Sequence, residues 1–227
     1  MSWQGVFHYL NPSYDWVYST PEGQRPMNTA SNPIDSTIDY YDTNAAAFIE
    51  RTVDIDLSDE YEAFLPHLPS GAHILDAGCG SGRDARAFLD MGYQVSAFDG
   101  SIEMVRHAST HTGLDVRHLR FEDVDYEDQF DGAWASASLL HVPAEQVLDA
   151  VNRLARSLKP GGIFYMSMKH GTDQQCIEGR LFSFVDEARV QTIIEQATGL
   201  EPLRTWSSTE ERKDGSTQVW VHALARR

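Results

Sequence analysis

His73-Ile74-Leu75-Asp76-Ala77-Gly78-Cys79-Gly80-Ser81-Gly82 is an apolar run that ends in a glycine-rich turn, and Arg83 follows it into a helical pattern. Ala85, Phe88 and Leu89 share one face of that helix, and Gly92 is its natural stop. Glycines in such a turn let the backbone bend sharply and let a ligand lie against it without a Cβ in the way. The start of the helix presents free N–H groups and the positive end of a dipole, which suits a carboxylate. Asp99 stands 23 positions after Asp76, at the end of the next apolar run, Tyr93 to Phe98. A carboxylate there can accept hydrogen bonds from both hydroxyls of a ribose, and both loops line one crevice of an open α/β sheet.

Downstream the same alternation repeats. Ser101 is placed to cap a helix bearing Met104, Val105 and Ala108, with Glu103 in its first turn. Val116 to Leu119 reads as a third strand and Gly132 to Ala135 as a fourth. Pro143 suits the first position of a helix bearing Val147, Leu148, Val151, Leu154 and Leu158. Lys159-Pro160-Gly161-Gly162 ends it, and Ile163 to Met168 is a fifth strand. Units of this length imply a mainly parallel sheet covered on both faces. A helix near Asp186–Ala197 then precedes two strand-like runs, Leu203–Thr209 and Gln218–Leu224, around Asp214-Gly215, which predicts an antiparallel terminal hairpin.

Upstream, residues 1–36 carry Pro12, Pro21, Pro26 and Pro33 among polar and aromatic residues and read as irregular coil. Helices are predicted over Ile38–Val53, with Ala45, Phe48, Ile49 and Val53 near helical spacing, and over Asp59–Leu68. The aromatics Trp3, Phe7, Tyr9, Tyr14, Trp16 and Tyr18 are too many for a simple disordered tail. Residues 1–36 are therefore expected to pack over the pocket mouth, or against a second subunit of a homodimer, and to help form the acceptor site.

The whole chain narrows the function classes. Its 227 residues include 34 acidic and 18 basic ones, a formal charge of −16, whereas nucleic-acid binders usually need a basic face. No apolar run approaches a membrane span, and the N-terminus lacks the pattern of a secretory signal. Two cysteines without paired spacing, Cys79 and Cys176, argue against a disulfide scaffold or zinc cluster and make the cytoplasm the default compartment. Nine histidines show neither the helical His-Glu motif nor a compact cluster, so no metal is expected. Gly80-Ser81-Gly82 is not the elbow of a serine hydrolase.

A dinucleotide fingerprint would want a glycine where Arg83 stands; Arg83 would crowd a pyrophosphate yet could pair with a ligand carboxylate. Asp76 to Gly82 instead resembles motif I of the class I S-adenosylmethionine-dependent methyltransferases, closest to the small-molecule group of quinone-biosynthesis and tellurite-resistance type enzymes. The likeness runs over about residues 40–225 and includes Leu158-Lys159-Pro160-Gly161-Gly162 and the terminal hairpin. It implies a doubly wound, mostly parallel seven-stranded Rossmann-like sheet with that hairpin and an N-terminal helical lid. Residues 1–70 would be extension and lid, and 71–227 the S-adenosylmethionine-binding domain.

The resemblance also assigns residues. Gly78, Gly80 and Gly82, with Ala77 and Cys79 in the same loop and Arg83 after it, would pass beneath the methionine part of S-adenosylmethionine, with Asp76 near its amino group. Asp99 would hold the ribose, while Met104 and the Gly100-Ser101 turn flank the adenine. Glu122-Asp123 would read the adenine edge, and Ala135 and Ser136 would offer backbone groups near the methionine amine. Tyr40 and Tyr41 resemble a tyrosine pair that closes over the site. The partner would be a small-molecule methyl acceptor. His141, after the fourth strand, is the best placed general base, since imidazole titrates near neutrality; Lys169 and His170 end the fifth strand on the same rim. A nicotinamide-dependent oxidoreductase and a cofactor-binding regulatory module without transfer are the rival readings.

Overall fold

The computed structural model describes residues 32–211 and 215–227, and the backbone of three further short segments. Those segments are β1 (Val6–Tyr9), β2 (Trp16–Thr20) and β3 (Gly23–Pro26), paired antiparallel in the order β1-β2-β3. In these segments strands replace the expected coil; the other residues of 1–31, and with them the expected packing over the pocket mouth, lie outside the described residues. Val6-Phe7-His8-Tyr9 and Trp16-Val17-Tyr18 are rich in β-branched and aromatic residues, and Pro26 closes an edge strand where its missing N–H is tolerated.

The lid helix α1 (Pro33–Thr52) starts five residues earlier than expected. Asn32 accepts from the Ile34 N–H with its side chain, and Pro33 takes the first helical position, where a missing N–H costs nothing. A kink at Asn44, whose amide donates to the Tyr40 carbonyl at 2.8 Å, splits the helix. α2 (Ser58–Phe64) and a short 3₁₀ turn lead into the sheet.

The central layer follows as β4 (His73–Ala77), α3 (Arg83–Asp90), β5 (Gln94–Asp99), α4 (Ile102–Thr112) and β6 (Arg117–His118). Then come β7 (Phe130–Ser136), α5 (Val147–Ser157), β8 (Leu158–Lys169), β9 (Gln174–Ile177) and β10 (Arg180–Ser183). α6 (Glu187–Gln196), β11 (Glu201–Glu211) and β12 (Thr217–Arg226) complete the chain. The main sheet has seven strands in the order β11-β12-β8-β7-β4-β5-β6; β12 runs antiparallel to both β8 and β11, and the other pairs are parallel. The chain builds outward from β4 through β5 to β6, then returns to the other side at β7. The crevice between β4 and β7 is therefore the topological switch point, where ligands of open α/β sheets bind.

Strand alternation sends side chains to two buried faces. Ile74, Trp134, Ile163 and Tyr165 pack on one, with Tyr61, Phe64 and Phe88 from α2 and α3. Leu75, Ala133, Phe164 and Met166 pack on the other, with Val151, Leu154 and Ile193 from α5 and α6. Burial on both sides gives the parallel strands their continuous apolar runs.

Three smaller expectations are corrected. β6 is only two residues long, because its sole strand partner is the end of β5 and the chain turns away after Leu119. Pro143 does not open α5, which begins at Val147. The Ala144 N–H donates to Gln174 Oε1 on β9, and the Val142 carbonyl accepts from Ser183 on β10, so tertiary bonds hold 142–146 as a turn. Residues 169–185, where no element was expected, hold the β9–β10 hairpin. No helix among the described residues is long and apolar enough to cross a membrane.

Candidate active site

At the switch point the backbone is bent by glycines. Gly78 (φ +73°) and Gly80 (φ +53°) follow β4 in left-handed conformations, and the N–H groups of Gly78 and Cys79 both donate to the Phe98 carbonyl of β5. A Cβ on Gly78 would stand 2.6 Å from the Ser138 Cβ, whereas one on Gly80 would project toward Phe48 of α1, 3.7 Å away. Gly80 thus keeps open the space between loop and lid.

Asp99 closes β5 beside that loop. Its Oδ2 accepts from the Gly80 N–H at 2.8 Å and its Oδ1 from the Ser101 N–H at 2.9 Å. Burial pushes its pKa up while these donors pull it down. Each oxygen retains lone-pair capacity for a further hydroxyl. Ser101 caps α4 as expected, accepting from the Met104 N–H at 3.2 Å. Asp42 of the lid helix joins the same cap: its Oδ1 accepts from the Ser101 hydroxyl at 2.6 Å and from the Glu103 N–H at 3.2 Å.

These groups border a cavity that is partly open to solvent. Of the expected residues, Tyr41, Gly78, Gly80, Asp99, Gly100, Ser101, Met104, Glu122 and His141 line it. Phe98, Leu119 and Phe121 give it an apolar wall next to Met104.

The remaining expected residues are set back from it. Asp76 is buried, and its Oδ2 accepts from the Ala85 N–H of α3; burial first, and then the neighbouring Asp84, push its pKa well up. Ala77 is sealed in the core, Cys79 packs against the other face, and Gly82 forms the N-cap of α3 against Ala108. Arg83, read from the sequence as able to pair with a ligand carboxylate, is paired within the protein. Its guanidinium is taken by Asp84, with Nε–Oδ1 at 2.6 Å and Nη2–Oδ2 at 3.1 Å. Asp84 also accepts from Tyr61 (2.7 Å) and Trp134 (2.8 Å); burial would raise its carboxyl, but the Arg83 charge and these donors hold it below the usual range.

Ala135 lies in the core and Ser136 beside Ser167, so Ala137 and Ser138, two residues later, are the ones that face the cavity. Ala137 has φ +49°, a strained conformation for a residue with a side chain, held by hydrogen bonds from its N–H to Ser167. Asp123 closes a 3₁₀ turn one position beyond Glu122 and does not border the cavity, and Tyr40 turns from it toward Arg180 of β10.

His141 and Tyr41 meet across the cavity. The His141 Nδ1 lies 2.6 Å from the Leu181 carbonyl, which can only accept, so Nδ1 carries the proton. Nε2 is then the acceptor for the Tyr41 hydroxyl at 2.7 Å. Burial pushes His141 down to about 3, with the Arg180 and Lys169 charges in the same direction, and pushes Tyr41 up to about 12. The pair is neutral across the physiological range, which suits a neutral hydrogen-bonded contact better than a general base. Lys169 stands over the Phe182 ring, 4.2 Å from its centroid, and His170 bridges to Val185.

Beyond Tyr41, the lid also lines the cavity with Ile34, Ile38 and Phe48, which the sequence reading did not assign to the site. Ile34, Ile38, Tyr41 and Phe48 recur at helical spacing and form the face of α1 that lines the cavity. That signal was present, but the helix had been begun at Ile38, one turn late. Gln146 and Asp149 of the α5 start reach the same cavity through tertiary packing alone.

Comparison with known proteins agrees with this geometry. A family described as "Methyltransferase domain" matches residues 74–162. The ubiquinone biosynthesis O-methyltransferase of Xanthomonas campestris pv. campestris (strain B100) is 32% identical over 165 residues, 65% of this chain; the match spans 66% of that enzyme's length. Among solved structures, the Burkholderia thailandensis 1,6-didemethyltoxoflavin-N1-methyltransferase, with 1,6-didemethyltoxoflavin and S-adenosylhomocysteine bound, superposes with a TM-score of 0.71 at 21% identity, covering 97% of this chain and 98% of that one. The magnesium protoporphyrin IX methyltransferase of Synechocystis PCC 6803, with S-adenosylmethionine bound, gives 0.68 at 18% identity, over 88% and 100% of the two chains.

Proposed function

We propose that this chain, which belongs to the class I S-adenosylmethionine-dependent methyltransferases, moves a methyl group from S-adenosylmethionine to a small-molecule acceptor. One observation carries the reading: the Asp99 carboxylate is held at the cavity rim by the Gly80 and Ser101 N–H groups, with two lone-pair sites left for a ribose diol. The open space above Gly80 and the apolar wall of Phe98, Met104, Leu119 and Phe121 fit the rest of a nucleoside that carries a methionine chain. Bound there, S-adenosylmethionine supplies a methyl group on a positively charged sulfur and leaves as S-adenosylhomocysteine.

What remains for the protein is orientation and exclusion of water, and well-aligned reactants draw much of their rate from that alone. Gly78, Gly80, Asp99, Ser101, Met104 and Glu122 hold the cofactor; Asp76, Arg83 and Gly82 shape the loop from behind. Residues 1–70 form the cover and 71–227 the cofactor domain, a division supported by α1 lying across the cavity and bonding to both ends of it through Asp42 and Tyr41. Tyr41 borders the space for the acceptor, and His141 fixes the direction of the Tyr41 hydroxyl. His141 acts by positioning, in keeping with its low basicity.

Calorimetry with S-adenosylhomocysteine and with NAD tests the cofactor: the first binds and the second does not. NAD binding of similar strength would overturn the reading in favour of an oxidoreductase. Turnover of S-adenosylmethionine with a panel of acceptors separates an enzyme from a binding module that lacks transfer.

A further inference from the structure

The β9–β10 hairpin carries a cation beside Tyr41, whose hydroxyl feels its charge and its hydrogen bonding. The Arg180 side chain is 14% exposed. Its guanidinium lies over the Tyr40 ring, 4.2 Å from the centroid, and over Phe182 at 5.2 Å. Nη2 donates to Glu178 at 3.0 Å, but that carboxylate is 62% exposed, so the pair is well solvated and weak. Nε is buried and finds no acceptor among the described residues. A buried donor left without an acceptor costs the whole desolvation of that group, so native structures rarely keep one without a use for it. A planar guanidinium fork clamped between aromatic rings is also the shape that receives an oxyanion.

The surroundings point the same way. Lys169 stands over the same Phe182 ring at 4.2 Å, and His141, whose ring centroid is 4.9 Å from that of Phe182, is neutral. A chain with 34 acidic and 18 basic residues has thus gathered two cations around Tyr41 and His141.

We infer that Arg180 is the specificity residue of the acceptor site and binds an oxyanion of the methyl acceptor, a carboxylate or a phenolate, beside Tyr41; this assignment rests on the methyl-transfer reading above. Arg180 is a second layer behind the Tyr41 face of the cavity in this arrangement of α1, so the anion reaches it from the lid side. An acceptor held as its anion also needs no proton acceptor from the protein, which agrees with the weak basicity of His141.

The test is calorimetry on the full chain saturated with S-adenosylhomocysteine, with benzoate, nitrophenolate and uncharged benzamide as probes. At least one anion binds the wild type about tenfold more tightly than benzamide, and which one it is separates a carboxylate from a phenolate acceptor. Arg180→Gln brings the three within about twofold of one another. Arg180→Lys, which keeps the charge and most of the packing, retains only part of the preference because the fork is gone. Arg180→Met melts at or above the wild-type temperature, since it removes an unsatisfied buried donor; a purely structural arginine would give a lower melting temperature. The inference is overturned if the wild type binds the three probes alike or binds none of them, or if Arg180→Gln keeps the preference. S-adenosylhomocysteine binding, read in the same titrations, keeps the two hypotheses apart: its loss in the wild type sinks the methyl-transfer reading, while its presence without anion preference sinks Arg180 alone.

Discussion

The two sides of the cavity are built from different materials. On the cofactor side the decisive contacts run through the main chain: Asp99 is held by two backbone N–H groups, and the loop is bent by glycines that bond to the Phe98 carbonyl. On the side proposed for the acceptor most of them run between side chains: Tyr41 to His141, Arg180 over Tyr40, Lys169 over Phe182. Backbone contacts fix a geometry that tolerates few residues, because each depends on φ or on the absence of a Cβ. Side-chain contacts can be exchanged without altering the sheet. A fold of this design can keep one cofactor while its acceptor changes.

That contrast can be broken by experiment. The largest effect is expected from Asp99→Ala, which removes charge-assisted bonds worth roughly 1.5–3 kcal/mol each. Affinity for S-adenosylhomocysteine should fall at least about tenfold by calorimetry. An unchanged dissociation constant would show that the cofactor side does not depend on this carboxylate. Next comes Gly78→Ala, whose methyl would meet Ser138 at 2.6 Å from a backbone at φ +73°. A loss of about 2 kcal/mol is expected in urea unfolding, from overpacking and left-handed strain together.

Smaller changes are expected across the cavity. Tyr41→Phe should raise the acceptor KM several-fold while turnover falls by less than about tenfold and cofactor affinity stays within about twofold. A collapse of kcat without a change in KM would make Tyr41 and His141 proton-transfer groups and erase the contrast drawn above. The smallest effect is on pH dependence. Unfolded histidine takes up a proton below its ordinary value of 6.5, whereas buried His141 resists until about 3 and His222 until about 4. Stability should therefore be greatest above pH 6.5 and decline as pH falls toward those lower values. His141→Gln should flatten part of that decline in urea titrations, and turnover should be level across neutral pH.

The same division explains what could be read from the sequence. Asp76 to Gly82, Asp99 and the Ser101 cap were legible because strand, turn and helix chemistry are local, and the apolar runs are long enough to mark buried strands. The terminal hairpin was legible through Asp214-Gly215, although residues 212–214 lie outside the described part. Arg83 misled because an arginine beside a ligand loop reads the same whether it meets a ligand or its own neighbour Asp84. Ala135 and Ser136 were placed two residues early because β7 continues through them before the crevice opens. Arg180 gave no local signal, since its meaning comes from Tyr40, 140 positions away, across a hairpin that pairs only with itself.

Asp42 ties these matters to time. One carboxylate on the lid helix accepts from both Ser101 and Glu103, within four residues of the aspartate assigned to the ribose. Lid and nucleoside loop therefore share this carboxylate, and by reciprocity a ligand that steadies one of them steadies the other. In stopped-flow traces, Asp42→Asn should speed the departure of S-adenosylhomocysteine.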